Sequence, residues 1–385
     1  MKTSKRLEGI GEYYFSQKLR EIDELNKQGK KIINLGIGSP DLPPHPDVIR
    51  VLQEAAARPD VHGYQSYKGS PALRKAIADW YATWYRVELN PDTEILPLIG
   101  SKEGIMHVCM TYLDEGDIAL VPNPGYPSYR SAVKLAGGMP IDYDLTEGNQ
   151  WYPDFKQLED LVHKHGDRVK LMWVNYPHMP TGRLPSAELF EQLIAFAKKH
   201  GILLCHDNPY SFILNDKPMS LLALPGAKEV VIELNSLSKS QNMAGWRVGT
   251  LSGAKDRIDE VLRFKSNMDS GMFLPVQLAA AKALSLGQEW YDSVNAVYRR
   301  RRELVFNLLD LLETQYDKKQ VGLFVWARIP AGYKDGFALS DGILHRAGVF
   351  ITPGGIFGKA GEGYIRVSLC SPEEKLRESI ERIGK

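Results

Sequence analysis

Lys239 stands in Asn235-Ser236-Leu237-Ser238-Lys239-Ser240, just past the hydrophobic run 230–234, and Arg247 follows eight positions on in Gly245-Trp246-Arg247-Val248-Gly249. The run reads as a buried strand. An amine at a strand end can form an imine with an aldehyde, and neighbouring hydroxyls and a guanidinium can hold a phosphate. The same residues also fit a solvated Ser/Lys loop.

Other groups fall at comparable places. Ser101 and Lys102 follow a strand and open a helix, where unpaired amides favour an anion; a plain Ser cap explains them equally well. Asp207 ends a hydrophobic strand, so its carboxylate needs a cationic or hydrogen-bonding partner. A protonated pyridine nitrogen is one such partner, and capping of the turn before Pro209 is the alternative. Tyr210 can donate to an oxygen on the same ring or simply pack. Tyr126, held between Gly125 and Pro127, offers a flat face for stacking or for packing. Asn175 lies at another strand end. Arg366, inside the apolar run 364–369, needs an anion, and its fork matches a carboxylate. A structural salt bridge accounts for it too. Together an imine-forming lysine, a phosphate cup and a pyridinium partner suit pyridoxal phosphate (PLP).

The positioning elements follow from periodicity. Residues 15–29 carry apolar positions at Phe15, Leu19, Ile22 and Leu25, an amphipathic helix ended by Gly29. Gly36-Ile37-Gly38-Ser39-Pro40-Asp41 reads as a loop with exposed amides. Pro40, Pro43, Pro44 and Pro46 speak against a dinucleotide fingerprint there, because they leave no place for a helix to start and continue. Ser70 and Pro71 open a helix to about residue 85. Strands are expected at 95–99, 118–121, 171–174, 202–206, 230–234 and 248–252, with helices at 103–113, after 127 and at 187–199. This alternation predicts an α/β fold with a mostly parallel sheet covered on both faces. Ligands in such sheets sit at the strands' carboxyl ends. Helices at 279–286 and 291–312, strands at 323–329, 349–352 and 364–369 and a last helix from 372 describe a smaller α+β unit. The expected division is 45–275 for the large unit, with 1–44 and 276–385 forming the small one.

The balance of 48 basic and 47 acidic residues in 385, net charge +1, gives no electrostatic reason for a nucleic-acid or membrane partner. Cys109, Cys205 and Cys370 lie at unrelated spacings in apolar surroundings, so neither a disulfide framework nor a metal site is expected. The basic N-terminus precedes no long apolar stretch; no signal peptide or membrane span is expected, and the cytoplasm is the default location.

The ordered set of Gly36 to Asp41, Tyr64 with Gly69, Gly100-Ser101-Lys102-Glu103-Gly104, Asn123-Pro124-Gly125-Tyr126-Pro127, Asn175-Tyr176-Pro177 with Pro180-Thr181-Gly182, Asp207 with Tyr210, Ser236-x-Ser238-Lys239 with Arg247, and Arg366 resembles the PLP-dependent aminotransferases of fold type I, class I/II, over essentially the whole chain. The resemblance implies a three-layer PLP-transferase-like sandwich and transamination, with 2-oxoglutarate the expected acceptor. It implies that Lys239 joins the cofactor aldehyde and shuttles a proton, that Asp207 pairs with the pyridinium, and that Tyr210 bonds the ring's phenolic oxygen. Tyr126 stacks on the ring, with Asn175 also at the cofactor. Ser101, Lys102, Ser236, Ser238 and Arg247 hold the phosphate. Tyr64 reaches the phosphate of a neighbouring subunit, implying a homodimer with shared sites. Arg366 and the Gly38 amide hold the substrate carboxylate, and Tyr13 lines the substrate side. Segment 265–275 is similar to that of LL-diaminopimelate and related aminotransferases.

The sequence departs from the family at Met179, where an Asn usually donates to the phenolic oxygen; a thioether cannot. Asn175 or His178 is a candidate substitute. If Tyr210 acts alone, the cofactor's imine nitrogen holds its proton to higher pH. Rival readings are a β-lyase cleaving C–S bonds, a non-catalytic regulator, and a nicotinamide-dependent oxidoreductase. The regulator usually carries a DNA-binding domain, for which the residues ahead of the first helix leave no room. The oxidoreductase rests only on Gly36-x-Gly38.

Overall fold

The computed structural model describes residues 2–12 and 14–385. Along the chain run helix α1 (Tyr14–Lys27), strand β1 (Ile33–Asn34), α2 (Pro46–Ala56), α3 (Pro71–Tyr85), β2 (Ile95–Leu98), α4 (Ser101–Tyr112), β3 (Ile118–Asn123), α5 (Pro127–Leu135), β4 (Met139–Asp144), α6 (Phe155–His165), β5 (Val169–Val174), α7 (Ala187–His200), β6 (Leu203–Asp207), β7 (Val231–Ser236), the short α8 (Leu237–Ser240), β8 (Gly249–Gly253), α9 (Lys255–Lys265), α10 (Leu274–Leu284), α11 (Gln288–Leu311), β9 (Phe324–Arg328), α12 (Gly336–Ala347), β10 (Val349–Phe350), β11 (Thr352–Pro353), β12 (Tyr364–Ser368) and α13 (Glu373–Ile383).

Seven strands form one sheet in the order β2-β8-β7-β6-β5-β3-β4, parallel except for β8. Its interior strands are almost continuously buried (Leu171, Met172, Trp173, Val174; Leu204, Cys205, His206) because helices cover both faces. One face packs on Leu73, Ile77, Phe190 and Ala280 from α3, α7 and α10, and the other on Ile105, Tyr129, Val133 and Ile258 from α4, α5 and α9. This is a three-layer α/β fold.

Local chemistry explains the helix starts. The Ser70 hydroxyl accepts from the amide of Leu73, with Pro71 in the first turn. The prolines after Gly38 do not exclude a helix: α2 begins at Pro46 behind His45, whose ring nitrogen accepts from the amide of Asp47. Pro46 needs no amide partner in a first turn, which corrects the expectation that no helix starts there. The helix lies well past the two glycines, so no strand–glycine–helix context for a dinucleotide forms.

A second, antiparallel sheet has the order β11-β12-β9, and β1 pairs in parallel with β10. Leu304, Val305 and Leu308 of α11, Ile343 of α12 and Leu376 of α13 pack on it in a separate core. Helix α10 packs instead on α2 and α3, and Ala279, Ala280 and Ala283 belong to the core of the large sheet. We therefore propose a division near Gly287 in place of the expected break at 275, with α10 in the large unit. Among the described residues, no helix is long and apolar enough to cross a membrane.

Candidate active site

The carboxyl ends of β2, β3, β5, β6 and β7 open onto one cavity of about 450 Å³. Ser101, Lys102, Tyr126, Asn175, Asp207, Tyr210, Ser236, Ser238, Lys239, Arg247, Gly38 and Arg366 all line it. Tyr64 does not. It is 96% exposed, on a surface loop. Tyr13 lies outside the described residues.

Lys239 sits in the single-turn α8, and its Nζ donates to the carbonyl of Gly38 at 2.7 Å. That bond ties β7's end to the glycine loop through the carbonyl of Gly38; a Cβ at Gly38 would fall 2.2 Å from the Phe324 ring. Burial pulls the Lys239 ammonium below its ordinary range, assisted by the charges of Arg366 and Arg247 and opposed by Cys370 and Asp207.

Asp207, buried at the end of β6, is pushed up to about 6 by burial, against the Tyr129 hydroxyl and the charges of His206 and Lys239. Tyr129 donates to Oδ2 at 2.7 Å, while buried Oδ1 has no hydrogen-bond partner among the described residues. An acceptor left bare in a buried site calls for an N–H from a ligand. Tyr129 is held in turn by stacking on Trp173, with centroids 5.1 Å apart. Tyr129 is not among the residues expected at the site, although it lies one helical turn beyond Tyr126 and so on the same face.

The anion cup is built from backbone. Helix α4 starts at Ser101 behind Gly100, whose φ of +81° suits glycine. A Cβ there would lie 2.2 Å from Arg247 Nη2, and one at Gly249 would lie 2.7 Å from the Ser101 amide. Arg247 reaches the Ala244 carbonyl at 2.7 Å and the Ser238 hydroxyl at 3.4 Å, and Ser236 Oγ accepts from the Ser238 amide at 3.2 Å. Hydroxyls, a guanidinium and helix amides thus converge, a set suited to a phosphate.

Arg366 enters from β12. Its guanidinium lies 3.8 Å from the Phe324 ring centroid and 4.6 Å from that of Phe357, and Nη2 donates to the Gly36 carbonyl at 2.8 Å. Met179 Sδ lies 3.4 Å from Nη1. Phe15 and Leu19 of α1 and Ile37 complete an apolar wall. Periodicity places Phe15 and Leu19 on α1's apolar stripe, and such a stripe does not separate a site-facing residue from a core one.

Both candidates for the missing Asn make bonds elsewhere, although Asn175, at the cavity, keeps one Nδ2–H to spare. Asn175 Nδ2 donates to the Asp207 carbonyl at 2.6 Å, and its Oδ1 accepts from the Met179 amide at 2.8 Å. His178 pairs through Nδ1 with Thr181 Oγ1 at 2.8 Å, and burial pulls its ring down to about 3. His178 does not line the cavity.

A phosphate cup, a lysine amine and an unsatisfied carboxylate around one cavity, at the carboxyl edge of this sheet, define a PLP-dependent enzyme of fold type I. The chain belongs to the aminotransferase class I and II family, whose model matches residues 30–383. It is an aminotransferase, and its cofactor is PLP. It is 43% identical to an LL-diaminopimelate aminotransferase of Dehalococcoides mccartyi, over 100% of this chain and 98% of that one. An LL-diaminopimelate aminotransferase of Aquifex aeolicus is 39% identical over 99% and 98%. The substrate-bound BacF structure from Bacillus subtilis superposes with a TM-score of 0.94 at 38% identity, covering 100% of this chain and 97% of that chain.

Proposed function

We propose that the enzyme transfers the amino group of an L-amino acid to 2-oxoglutarate, with Lys239 moving the substrate's α-proton. The observation that carries this reading is the convergence of Lys239, the bare Oδ1 of Asp207 and Arg366 on one cavity. PLP, when bound, supplies an aldehyde that condenses with amines and a ring that takes up the electron pair left at the α-carbon.

The chain's own groups do the rest. Lys239 Nζ would hold the cofactor's aldehyde carbon and, when free, would work as the neutral amine that its burial favours. In that form Nζ would take the proton from the substrate α-carbon and return it to the carbon that was the cofactor's aldehyde. Asp207, oriented by Tyr129, holds the proton of the ring nitrogen. Tyr210 would donate to the ring's phenolic oxygen, and Tyr126 would pack on the ring. The α4 amides with Ser101, Lys102, Ser236, Ser238 and Arg247 hold the phosphate. Asn175 acts on the cofactor wall by tying the end of β5 to β6. Arg366 takes the substrate carboxylate, with the Gly38 amide beside it, and the aromatic rings on either side keep water from that pair. Tyr64 serves the site of a second copy in a homodimer.

The two curated relatives are named for LL-diaminopimelate. The wall near Arg366 is apolar here, so donors with apolar side chains are expected to react as well. The test is half-reaction with single amino acids, following the cofactor's absorbance with no 2-oxo acid present. Reactive donors are expected to convert the cofactor once and stop, and 2-oxoglutarate then restores the starting spectrum. Lys239→Ala is expected to abolish the conversion. Continuous release of pyruvate and ammonia without an acceptor overturns transamination in favour of β-elimination.

A further inference from the structure

We propose that His206 and Glu233 form a buried ion pair that positions Asp207 and keeps its carboxylate ionised, an assignment that rests on Asp207 facing the ring nitrogen. His206 precedes Asp207 on β6, so its side chain leaves the opposite face of the sheet. His206 and Glu233 are both fully buried. His206 Nε2 lies 2.9 Å from the carbonyl of Tyr176, and Nδ1 lies 2.7 Å from Glu233 Oε2. A carbonyl only accepts, so Nε2 carries a proton.

The second proton is placed by what surrounds Glu233. Its carboxylate accepts from the Leu221 amide at 2.9 Å, the Ser220 hydroxyl at 2.8 Å, the Tyr81 hydroxyl at 3.0 Å and Asn235 Nδ2 at 3.4 Å. Such a ring of donors favours the charged carboxylate. Nδ1 then donates to it, and the ring is an imidazolium. Phe190 of α7 closes its remaining side, 5.3 Å away between ring centroids. A buried cation needs an anion in place, and Glu233 is that anion.

Two consequences reach Asp207. A fixed positive charge stands one residue away, on the far side of the sheet, and opposes the burial that drives the carboxylate toward its neutral form. The Nε2–H also pins the Tyr176 carbonyl, while Asn175 beside it grips the Asp207 carbonyl, so the ends of β5 and β6 are locked together. His206 is a positioning residue and touches neither cofactor nor substrate.

The test uses the PLP-loaded enzyme. Histidine-selective ¹⁵N spectra, with the His206 ring assigned by its proximity to Phe190, are expected to show both nitrogens bonded to hydrogen in the folded, loaded enzyme. A bare nitrogen overturns the proposal, and this arm needs no variant. The second arm measures PLP release from wild type, His206→Asn, Asp207→Asn and the double variant. His206→Asn keeps one donor without the charge and is expected to speed release about tenfold, the weight of one pKa unit on Asp207. Little further change is expected in the Asp207→Asn background. Equal acceleration in both backgrounds means a structural role alone and overturns the proposal. Wild-type release from Asp207→Asn overturns the ring-nitrogen reading of Asp207 itself, and this proposal with it.

Discussion

Burial raises the Asp207 carboxyl to about 6 from an ordinary 3.8, and this has a sign that can be checked on the cofactor-free protein. Well below pH 3.8 the group is protonated folded and unfolded alike, and it costs nothing. Between about 3.8 and 6 the unfolded state sheds its proton while the folded state keeps it, so stability falls across that window and levels off above 6, where the folded state carries the buried charge. The cost at pH 8 is on the order of 3 kcal/mol. Asp207→Asn is therefore expected to stabilise the cofactor-free enzyme at pH 8 and to leave it nearly unchanged at about pH 3, read by denaturant unfolding. A gap that does not close on acidification contradicts the account. Met179 supports a second prediction at this scale. Asn175 grips backbone through both side-chain atoms and His178 lies outside the cavity, so we propose Tyr210 as the main donor to the phenolic oxygen. Met179→Asn restores a donor and is expected to lower the midpoint of the cofactor's absorbance transition by about one pH unit, the size of one hydrogen bond to a charged group. Superimposable titrations of the two proteins remove the idea.

The phosphate cup belongs to elements rather than to side chains. Strand β8 runs against its neighbours, and its first residue, Gly249, lies against the start of α4. A Cβ at Gly249 would meet the Ser101 amide at 2.7 Å and the Asn235 carbonyl oxygen at 2.9 Å, both backbone atoms that cannot swing aside. Gly249→Ala is expected to part α4 from β8, costing about 1–3 kcal/mol of stability and weakening PLP retention. Gly245→Ala meets nothing within 4 Å and is the control, expected near wild type in both. Calorimetry and cofactor release read the pair; equal behaviour of the two variants counts against a cup set by this contact. The elements that build the cup were legible in the sequence because interior parallel strands are unbroken apolar runs that end abruptly in polar residues. The edge strand β4 was not, since Pro140, Asp142 and Asp144 interrupt its pattern, as an edge position allows. Helices α2 and α10 were obscured or shortened because Pro46 and Pro275 look like breakers until the first-turn geometry is known. Lys239, Asp207 and Arg247 could be placed at a site from their strand ends. Phe324 and Phe357 could not, because they reach the cavity from the other sheet and its loops, and no local pattern encodes that approach.

At the scale of the whole molecule, the loop around 62–69 and segment 265–273 form one face. Gln65 bridges to Gly271, and the His62 and Phe273 rings stack 5.8 Å apart. Tyr64, Tyr67, Met268 and Phe273 are all exposed there, a concentration of large apolar groups that a second copy could cover. Tyr64 is exposed and does not line its own cavity, so its proposed service to a phosphate requires that second copy. Shared sites make a prediction that separate sites do not. Lys239→Ala and Tyr64→Ala disable different halves of a shared site, so each variant alone is expected to have little activity. In a hybrid dimer one site carries both changes and the other carries neither. Random pairing makes half the dimers hybrid, each with one intact site, and co-expression is expected to restore about a quarter of wild-type activity. Sedimentation should report twice the chain mass for each variant and for the mixture. Activity that stays at the sum of the two parents, with the dimer mass intact, places Tyr64 outside the neighbouring site.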